Sequence, residues 1–435
     1  MTSIHLRKTL GTLLAGLVMS GMAVGPGPSA AAAVRDNSAS ADHGGASREP
    51  VYWVGAWAAA QEQATTTSPA QARSGFAKHS SLRQIVRVST GGDFVRIHLS
   101  NLYGRVPLQL AGATIARAGS GAALQRGSQR NLTFGHRQAV SIASGAERSS
   151  DPLTMRTTPF EKLTVTLYFA ARTGPATYHK RAMATSYVAA DDHRVDPTAK
   201  AFTQTSQSWY YLTGVDVRGR QARQRDGVVT LGDSITDGYG STVDANNRYP
   251  DELAERLARQ GRPRPVINAG QSGNELLHDT WCYGESGINR FRRDVATRPG
   301  VRTVLLLEGI NDIHRSGKTN ICWPGAPSIT AADLIRGERY LIWWAHTRGL
   351  RVIGGTLLPC SNTGQPEAVR EAVNSWIRST AGTSGGYDAI VDFDRALADP
   401  GNPHALRPAY DSGDHLHPND AGYRAMAQAV DISQL

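Results

Sequence analysis

Long apolar runs are nearly missing from this 435-residue chain. The one uncharged apolar stretch, Leu10 to Val24, follows Arg7 and Lys8 and is broken by three glycines and a serine. It falls short of the ~20 residues that span a bilayer. Small residues follow at Ser29-Ala30-Ala31-Ala32-Ala33, so residues 1–33 read as an export signal cleaved near Ala31 to Ala33, and the rest of the chain is expected outside the cell. Cysteine is also scarce, with three residues at Cys282, Cys322 and Cys360. Their spacing is not that of metal ligands, so no metal is expected. In an oxidising compartment they allow one disulfide, and Cys282–Cys322 is the preferred of the three pairings. Dense basic blocks are missing as well. The formal net charge of +10 falls by two when Arg7 and Lys8 leave, and the remainder is nearly all scattered arginine. Without clustering and interleaved aromatics this is a solvated surface rather than a nucleic-acid face, although weak attraction to acidic wall polymers stays open.

The length calls for two domains. Residues 34–50 are alanine, serine, glycine and charge without period and read as a flexible tether. From Val51 the pattern turns to short β runs. Trp53 to Trp57 comes first, then Leu82 to Ser89 and Phe94 to Leu99 flanking Thr90-Gly91-Gly92-Asp93, a turn suited to a hairpin. Further runs are Thr114 to Ala116, Ala139 to Ile142 and Leu163 to Tyr168. Residues 51–215 are therefore expected to form a β-sandwich of jelly-roll type, an accessory domain that packs on its neighbour or binds carbohydrate.

Over 222–435 strands and helices alternate. Strands are expected at Val228 to Leu231, Val266-Ile267, Thr303 to Leu307, Arg351 to Leu358 and Ala389 to Phe393. Helices are expected near Pro250 to Gln260, from Thr330 to Gly349, around Val369 to Ile377 and over Asn419 to Val430. Such βα units form a parallel sheet with helices on both faces, and reactive groups belong at the C-terminal strand ends. Four sites fit that placement. Gly232-Asp233-Ser234-Ile235-Thr236 follows the first strand, Asn268 to Asn274 the second, Gly309-Ile310-Asn311-Asp312 the third, and Asp414-His415-Leu416-His417 comes after the fifth. Acyl transfer needs these types: a hydroxyl, a base to take its proton, a carboxylate to orient the base, and N–H donors for an oxyanion. His415 and Asp411 are rivals to His417 and Asp414. An α/β-hydrolase elbow would need glycine where Thr236 stands. No Gly-x-Gly-x-x-Gly follows the first strand, so no dinucleotide or other cofactor is expected.

These four blocks, in this order over roughly the C-terminal half, resemble the SGNH hydrolase (GDSL esterase/lipase) family, with Ile235 where the family name has leucine. The resemblance implies a flavodoxin-like three-layer α/β/α domain with a five-stranded parallel sheet. It implies Ser234 as nucleophile, His417 as base and Asp414 as its orienter. The oxyanion donors it implies are the N–H of Ser234, the N–H of Gly273 with Gly270 as alternative, and the Asn311 amide. The β-rich segment is similar to that of secreted two-domain actinobacterial members, including esterases of the xylan type. Asp233, Trp281, Tyr283 and Trp323 are expected at the substrate, in loops 275–287 and 314–327 or beside the serine. The expected function is a secreted serine esterase on short-chain or acetyl esters, including those of polysaccharide, acting as a monomer without nucleic-acid partners or a membrane span. The competing readings are a lipase or phospholipase on longer acyl chains, and a carbohydrate- or wall-binding protein with a vestigial hydrolase half.

Overall fold

The structure, a computed structural model, describes residues 52–219, 226–322, 324–361 and 364–435. The export signal at 1–33, the tether at 34–50 and Trp323 lie outside the described residues.

Residues 52–219 form antiparallel sheets around one hydrophobic core. The first sheet runs Trp53–Ala58, Leu212–Arg218, Gly92–Ser100, Glu147–Ser149, with Leu153–Thr157 also on Gly92–Ser100. The second has seven strands, with Ser80–Arg87, Lys162–Phe169 and Leu108–Arg117 at its centre. Alternation along these strands sends Leu82, Val86, Leu163, Val165 and Leu167 inward from one sheet, and Val95, Ile97 and Leu99 from the other. The hairpin expected across Thr90 to Asp93 is not formed. Ser80–Arg87 pairs with Lys162–Phe169 and Ser186–Ala190, whereas Gly92–Ser100 pairs with Leu212–Arg218. The turn is an arch between sheets, because both strands carry an apolar face and each completes the core from an opposite side. A small third sheet of Trp209–Tyr210, Thr177–His179 and Glu62–Gln63 brings His179 to the second half of the molecule.

That half is built on five parallel strands, β1 (Gly227–Gly232), β2 (Val266–Gly270), β3 (Val301–Leu307), β4 (Arg351–Gly355) and β5 (Ala389–Val391), in the order β2-β1-β3-β4-β5. β1 is buried throughout, as a central strand covered on both faces must be. Helices α1 (Tyr249–Arg259) and α4 (Asp420–Ala429) lie against each other, and α2 (Ala331–His346) lies against α3 (Gln365–Thr380). Thr330 and Asp333 close the expected capping box of α2. The strand order reverses at β1, so its C-terminal end opens on a crevice. On the other side β2 is an edge, and Trp53–Ala58 of the first β sheet packs against it. Gly55 N–H donates to Pro299 O, just before β3, at 2.9 Å, and Val266 N–H to Ser89 Oγ, in the arch after Ser80–Arg87, at 3.1 Å. Arg87 pairs with Glu255 of α1 across the same seam at 2.6 Å. No helix among the described residues is long and apolar enough to cross a membrane.

Candidate active site

The crevice at the end of β1 is shaped first by a glycine. A Cβ at Gly232 would meet Leu307 O at 2.4 Å and Thr236 Oγ1 at 2.1 Å, so only glycine lets the chain turn directly from strand into helix. The helix Ser234–Asp237 then starts with Ser234 at its first turn, and Asp233 Oδ1 accepts from Ile235 N–H at 2.9 Å as its N-cap. Asp233 was expected among the substrate contacts. It is instead 1 % exposed and spent on this cap, because the turn aims its side chain under the helix.

Ser234 is 8 % exposed, and its hydroxyl lies 2.8 Å from His417 Nε2. His417 Nδ1 lies 2.6 Å from Asp414 Oδ2, while Asp414 Oδ1 accepts from the His417 N–H at 2.8 Å and the Leu416 N–H at 3.0 Å. A carboxylate accepts only, so Nδ1 carries the proton and Nε2 is left as the acceptor for the serine O–H. Although partial burial pushes the Asp414 carboxyl up, the His417 contacts and the N–H groups of the loop hold it below the ordinary carboxylate range. His415 turns away at φ 63° and bonds Asp411 Oδ2 through Nδ1 at 2.7 Å. Tyr239, between Gly238 and Gly240, lays its ring edgewise on the His417 imidazole with centroids 4.6 Å apart.

The loop after β2 carries the other expected donors. The Gly270 N–H donates to Asn268 Oδ1 at 2.7 Å, and a Cβ there would meet Asp237 N at 2.2 Å, so Gly270 serves close packing under the serine helix. Gly273 has φ +81°, and its N–H finds no acceptor among the described residues. The Asn311 amide donates one hydrogen to Asn274 O at 2.9 Å, which orients it and leaves its second N–H for a ligand. Buried Arg290 ties these parts together. It donates to Gly232 O at 2.8 Å, Ala269 O at 2.6 Å and Asn274 Oδ1 at 2.7 Å, joining the ends of β1 and β2 to the donor loop. Glu308 lies 3.9 Å from the same guanidinium, and burial drives its carboxyl well above the usual range.

Loops 275–287 and 314–327 form the rim, and the Cys282–Cys322 disulfide links them as expected, leaving Cys360 a thiol. Tyr283 packs flat where a Gly273 side chain would stand, its Cδ1 2.2 Å from that position, with Arg315 4.0 Å from its ring centre. Trp281 is 46 % exposed. Glu275, His278 and Asp312 bring potential metal donors within 4.8 Å of one another. Two of these carboxylates are already engaged: Asp312 accepts from Leu276 and Leu277 N–H at 2.8 and 3.0 Å, and Glu275 pairs with Arg315 at 2.9 Å. They read as loop anchors.

One part of the site comes from the β half. His179 Nε2 lies 2.9 Å from Asp237 Oδ1 at the end of the serine helix, and its Nδ1 lies 2.9 Å from Ala60 O. Both ring nitrogens face acceptors, so both carry protons and the ring is an imidazolium. Burial opposes this charge, but Asp237 outweighs it and the pKa is raised. Asp237 Oδ2 in turn accepts from the Ser272 N–H at 3.0 Å and the Ser272 hydroxyl at 2.6 Å. His179 thus fixes the serine helix and the donor loop relative to each other. Nothing in the sequence marks it, since it stands on a β strand far from every block. Arg290 is equally hidden, in a run with Arg292 and Arg293. Tyr239 had a local signal in its flanking glycines.

Comparison with known families matches residues 230–425 to the GDSL-like lipase/acylhydrolase family. By class the chain is therefore a carboxylic ester hydrolase. More narrowly, its α/β part, residues 230–425, is a domain of the GDSL-like (SGNH) hydrolase type. Similar solved structures include a lipase/acylhydrolase from Enterococcus faecalis, at 21 % identity, 47 % of this chain, 92 % of that chain and TM-score 0.36. A GDSL-like lipase from Bacteroides thetaiotaomicron is 19 % identical over 48 % of this chain and 87 % of that one, with TM-score 0.35. An acetyl xylan esterase is 21 % identical over 47 % and 96 %, with TM-score 0.36. No match is found among curated proteins.

Proposed function

We propose that the chain is a secreted serine esterase working through an acyl-enzyme on Ser234. The observation that carries this reading is the unbroken chain from the Ser234 hydroxyl to His417 Nε2 and from His417 Nδ1 to Asp414. His417 takes the hydroxyl proton as Oγ bonds to the ester carbonyl carbon. The resulting oxyanion is held by the Ser234 N–H, the Gly273 N–H and the free Asn311 N–H, each worth about 3 kcal/mol. Gly273 is assigned over Gly270 because the Gly270 N–H is already bonded to Asn268. Collapse expels the alcohol, which takes the proton from His417, and leaves the acyl-serine. Water then gives a proton to His417 and attacks, releasing the acid as Ser234 regains its proton. Asp414 holds the imidazole in the required tautomer throughout.

Short-chain or acetyl esters, including those on polysaccharide, are the favoured substrates. Support comes from the rim, where Tyr239, Tyr283, Lys180 and Arg181 make an aromatic and polar entrance suited to a polar alcohol. A disulfide between the rim loops suits an oxidising compartment and so supports secretion. A second reading, hydrolysis of longer acyl chains, draws on Trp281 at 46 % and Ile321 at 78 % exposure beside that disulfide. The test is a panel of p-nitrophenyl acetate, butyrate, octanoate and palmitate with acetylated xylan and a phospholipid. In it Ser234→Ala should lose about 10⁴-fold or more in kcat. More than a tenth of the activity left in that variant would reject the scheme. A maximum at octanoate or above would move the assignment to the second reading.

A further inference from the structure

Beside His179 stand two cations of the entrance that take no part in the acyl-enzyme steps above. The His179 ring is clamped between Asp237 and Ala60, so the next two residues leave a fixed corner at the edge of the serine helix. They diverge over the two tyrosines that flank the chemistry. Lys180 Nζ lies 5.3 Å from the centre of the Tyr283 ring, which packs against Gly273. Arg181 Cζ lies 5.0 Å from the centre of the Tyr239 ring, which rests on His417. One cation therefore sits over the ring beside an oxyanion donor, and the other over the ring beside the base.

Neither cation forms a salt bridge with a carboxylate among the described residues. That sets them apart from their surroundings, where Arg315 is held by Glu275, Arg293 by Glu285 and Asp294, and Arg248 by Asp251. Glu62 accepts the Lys180 N–H at 3.1 Å, and burial pushes its carboxyl up to about 7 against the pull of the Lys180 and His179 charges, so that it is largely protonated in mildly acid solution. Arg181 is exposed and Lys180 half-buried. Aromatic faces hold both in place at little cost in desolvation. A pair of oriented cations at the mouth of a reactive crevice attracts and orients an anion.

We propose that Lys180 and Arg181 form an anion subsite, so that this hydrolase selects esters carrying a carboxylate or phosphate close to the scissile bond. The β half thus supplies substrate selection as well as support. This rests on the esterase reading of Ser234, and the experiment separates the two. Within each enzyme kcat/KM is compared for two pairs that differ in one charge. 4-Nitrophenyl hemisuccinate against its methyl ester places the charge on the acyl side, and 3-acetoxybenzoate against its methyl ester places it on the alcohol side. The charged-to-neutral ratio should fall about tenfold or more, chiefly through KM, from the natural protein to Lys180→Ala/Arg181→Ala in at least one pair. It should fall by a similar factor in Arg181→Glu, whose corner is likewise without net charge, and in the natural protein it should shrink as salt rises from about 0.05 to 0.5 M. Vesicles of phosphatidylglycerol against phosphatidylcholine form a third pair, and loss of preference there alone would place the anion on a lipid headgroup. A ratio equal in natural protein and variants, in every pair, would overturn the subsite even if both esters slowed together. Turnover of no ester by the natural protein would overturn the esterase reading beneath it.

Discussion

A histidine bonded to an aspartate occurs three times around Ser234, and the three pairs differ in what lies on the far side of the ring. In His417–Asp414 the far nitrogen meets the serine hydroxyl at 2.8 Å, and the histidine side chain is 12 % exposed. In His415–Asp411, on the same loop, the histidine side chain is 75 % exposed. In His179–Asp237 the far nitrogen meets a backbone carbonyl, and both side chains are buried. The same two functional groups therefore make an acceptor for the serine hydroxyl, a surface contact and a structural cation. Chemistry at the near nitrogen is common to all three. The far side sets the role: a proton-bearing hydroxyl leaves Nε2 neutral and accepting, whereas a second acceptor demands a proton on each nitrogen.

The largest effect should come from breaking the first pair against the second. His417→Gln should lower kcat on p-nitrophenyl acetate by about 10⁴-fold or more, and Asp414→Asn by about 10⁴-fold, because the asparagine allows the wrong tautomer. His415→Gln should change it by less than about twofold. Equal losses in His415→Gln and His417→Gln would abolish the distinction between the pairs. Removal of Arg290 should also be severe, since Arg290→Met leaves Gly232 O, Ala269 O and Asn274 Oδ1 without their donor in a buried region. A loss of about 3–5 kcal/mol in stability is expected by denaturant titration.

Much of this site was legible in the sequence because the chain marks strand ends by local chemistry. β1 reads as an apolar run closed by Gly232, and that one residue both ends the strand and allows the turn that presents Ser234. The Asn268-to-Gly273 loop, Asn311 and Asp414 to His417 are likewise marked by their own neighbours. What was not legible depends on contacts between distant segments. His179 precedes Ser234 by 55 positions and reaches it only because a three-stranded sheet folds Thr177–His179 against the helix end. Arg290 is distinguished from Arg292 only by which helix face meets β1. The arch over Thr90 to Asp93 was misread for a related reason. Alternation shows that each flanking strand has an apolar face, but two strands of one sheet and two facing strands of a sandwich share that pattern.

The buried pair should come second in size. His179→Gln removes a charge that Asp237 and Ala60 O both face, and about 3–5 kcal/mol of stability should go with it near neutral pH. Its kcat should fall as well, because Asp237 also holds Ser272 in the donor loop. The folded-state pKa of His179 is raised, so its contribution is complete below the unfolded value of about 6.5 and is lost as pH rises through the folded one. The stability gap between natural protein and His179→Gln should therefore narrow on the alkaline side. Glu62 is coupled to this ring, since burial raises it to about 7 while the His179 charge pulls it down, so the gap is measured in a Glu62→Gln background as well to isolate the His179 contribution.

The smallest effect belongs to the exposed pair, and its pH dependence should have the opposite sign. Asp411 Oδ1 accepts from the Gly413 N–H at 2.8 Å and the His415 N–H at 3.0 Å, while Oδ2 meets the His415 ring. Asp411→Asn keeps the first acceptor and loses only the charge-assisted second bond, to a ring that water also reaches. The cost should stay below about 1 kcal/mol near neutral pH, with kcat within about twofold. Burial tends to raise the Asp411 carboxyl, but the loop N–H groups and His415 leave it lowered in the folded protein. A lowered carboxyl contributes stability above its unfolded value of about 3.8 and loses it as pH falls through the folded one. The gap between natural protein and Asp411→Asn should thus close in acid, where that of His179→Gln is fully open. Thermal denaturation of the natural protein and both variants at about pH 3 to 9 measures the two gaps together. If both closed in the same direction, the opposite pH signs assigned to the buried cation and the surface carboxylate would be wrong, and the contrast between the two pairs would be lost.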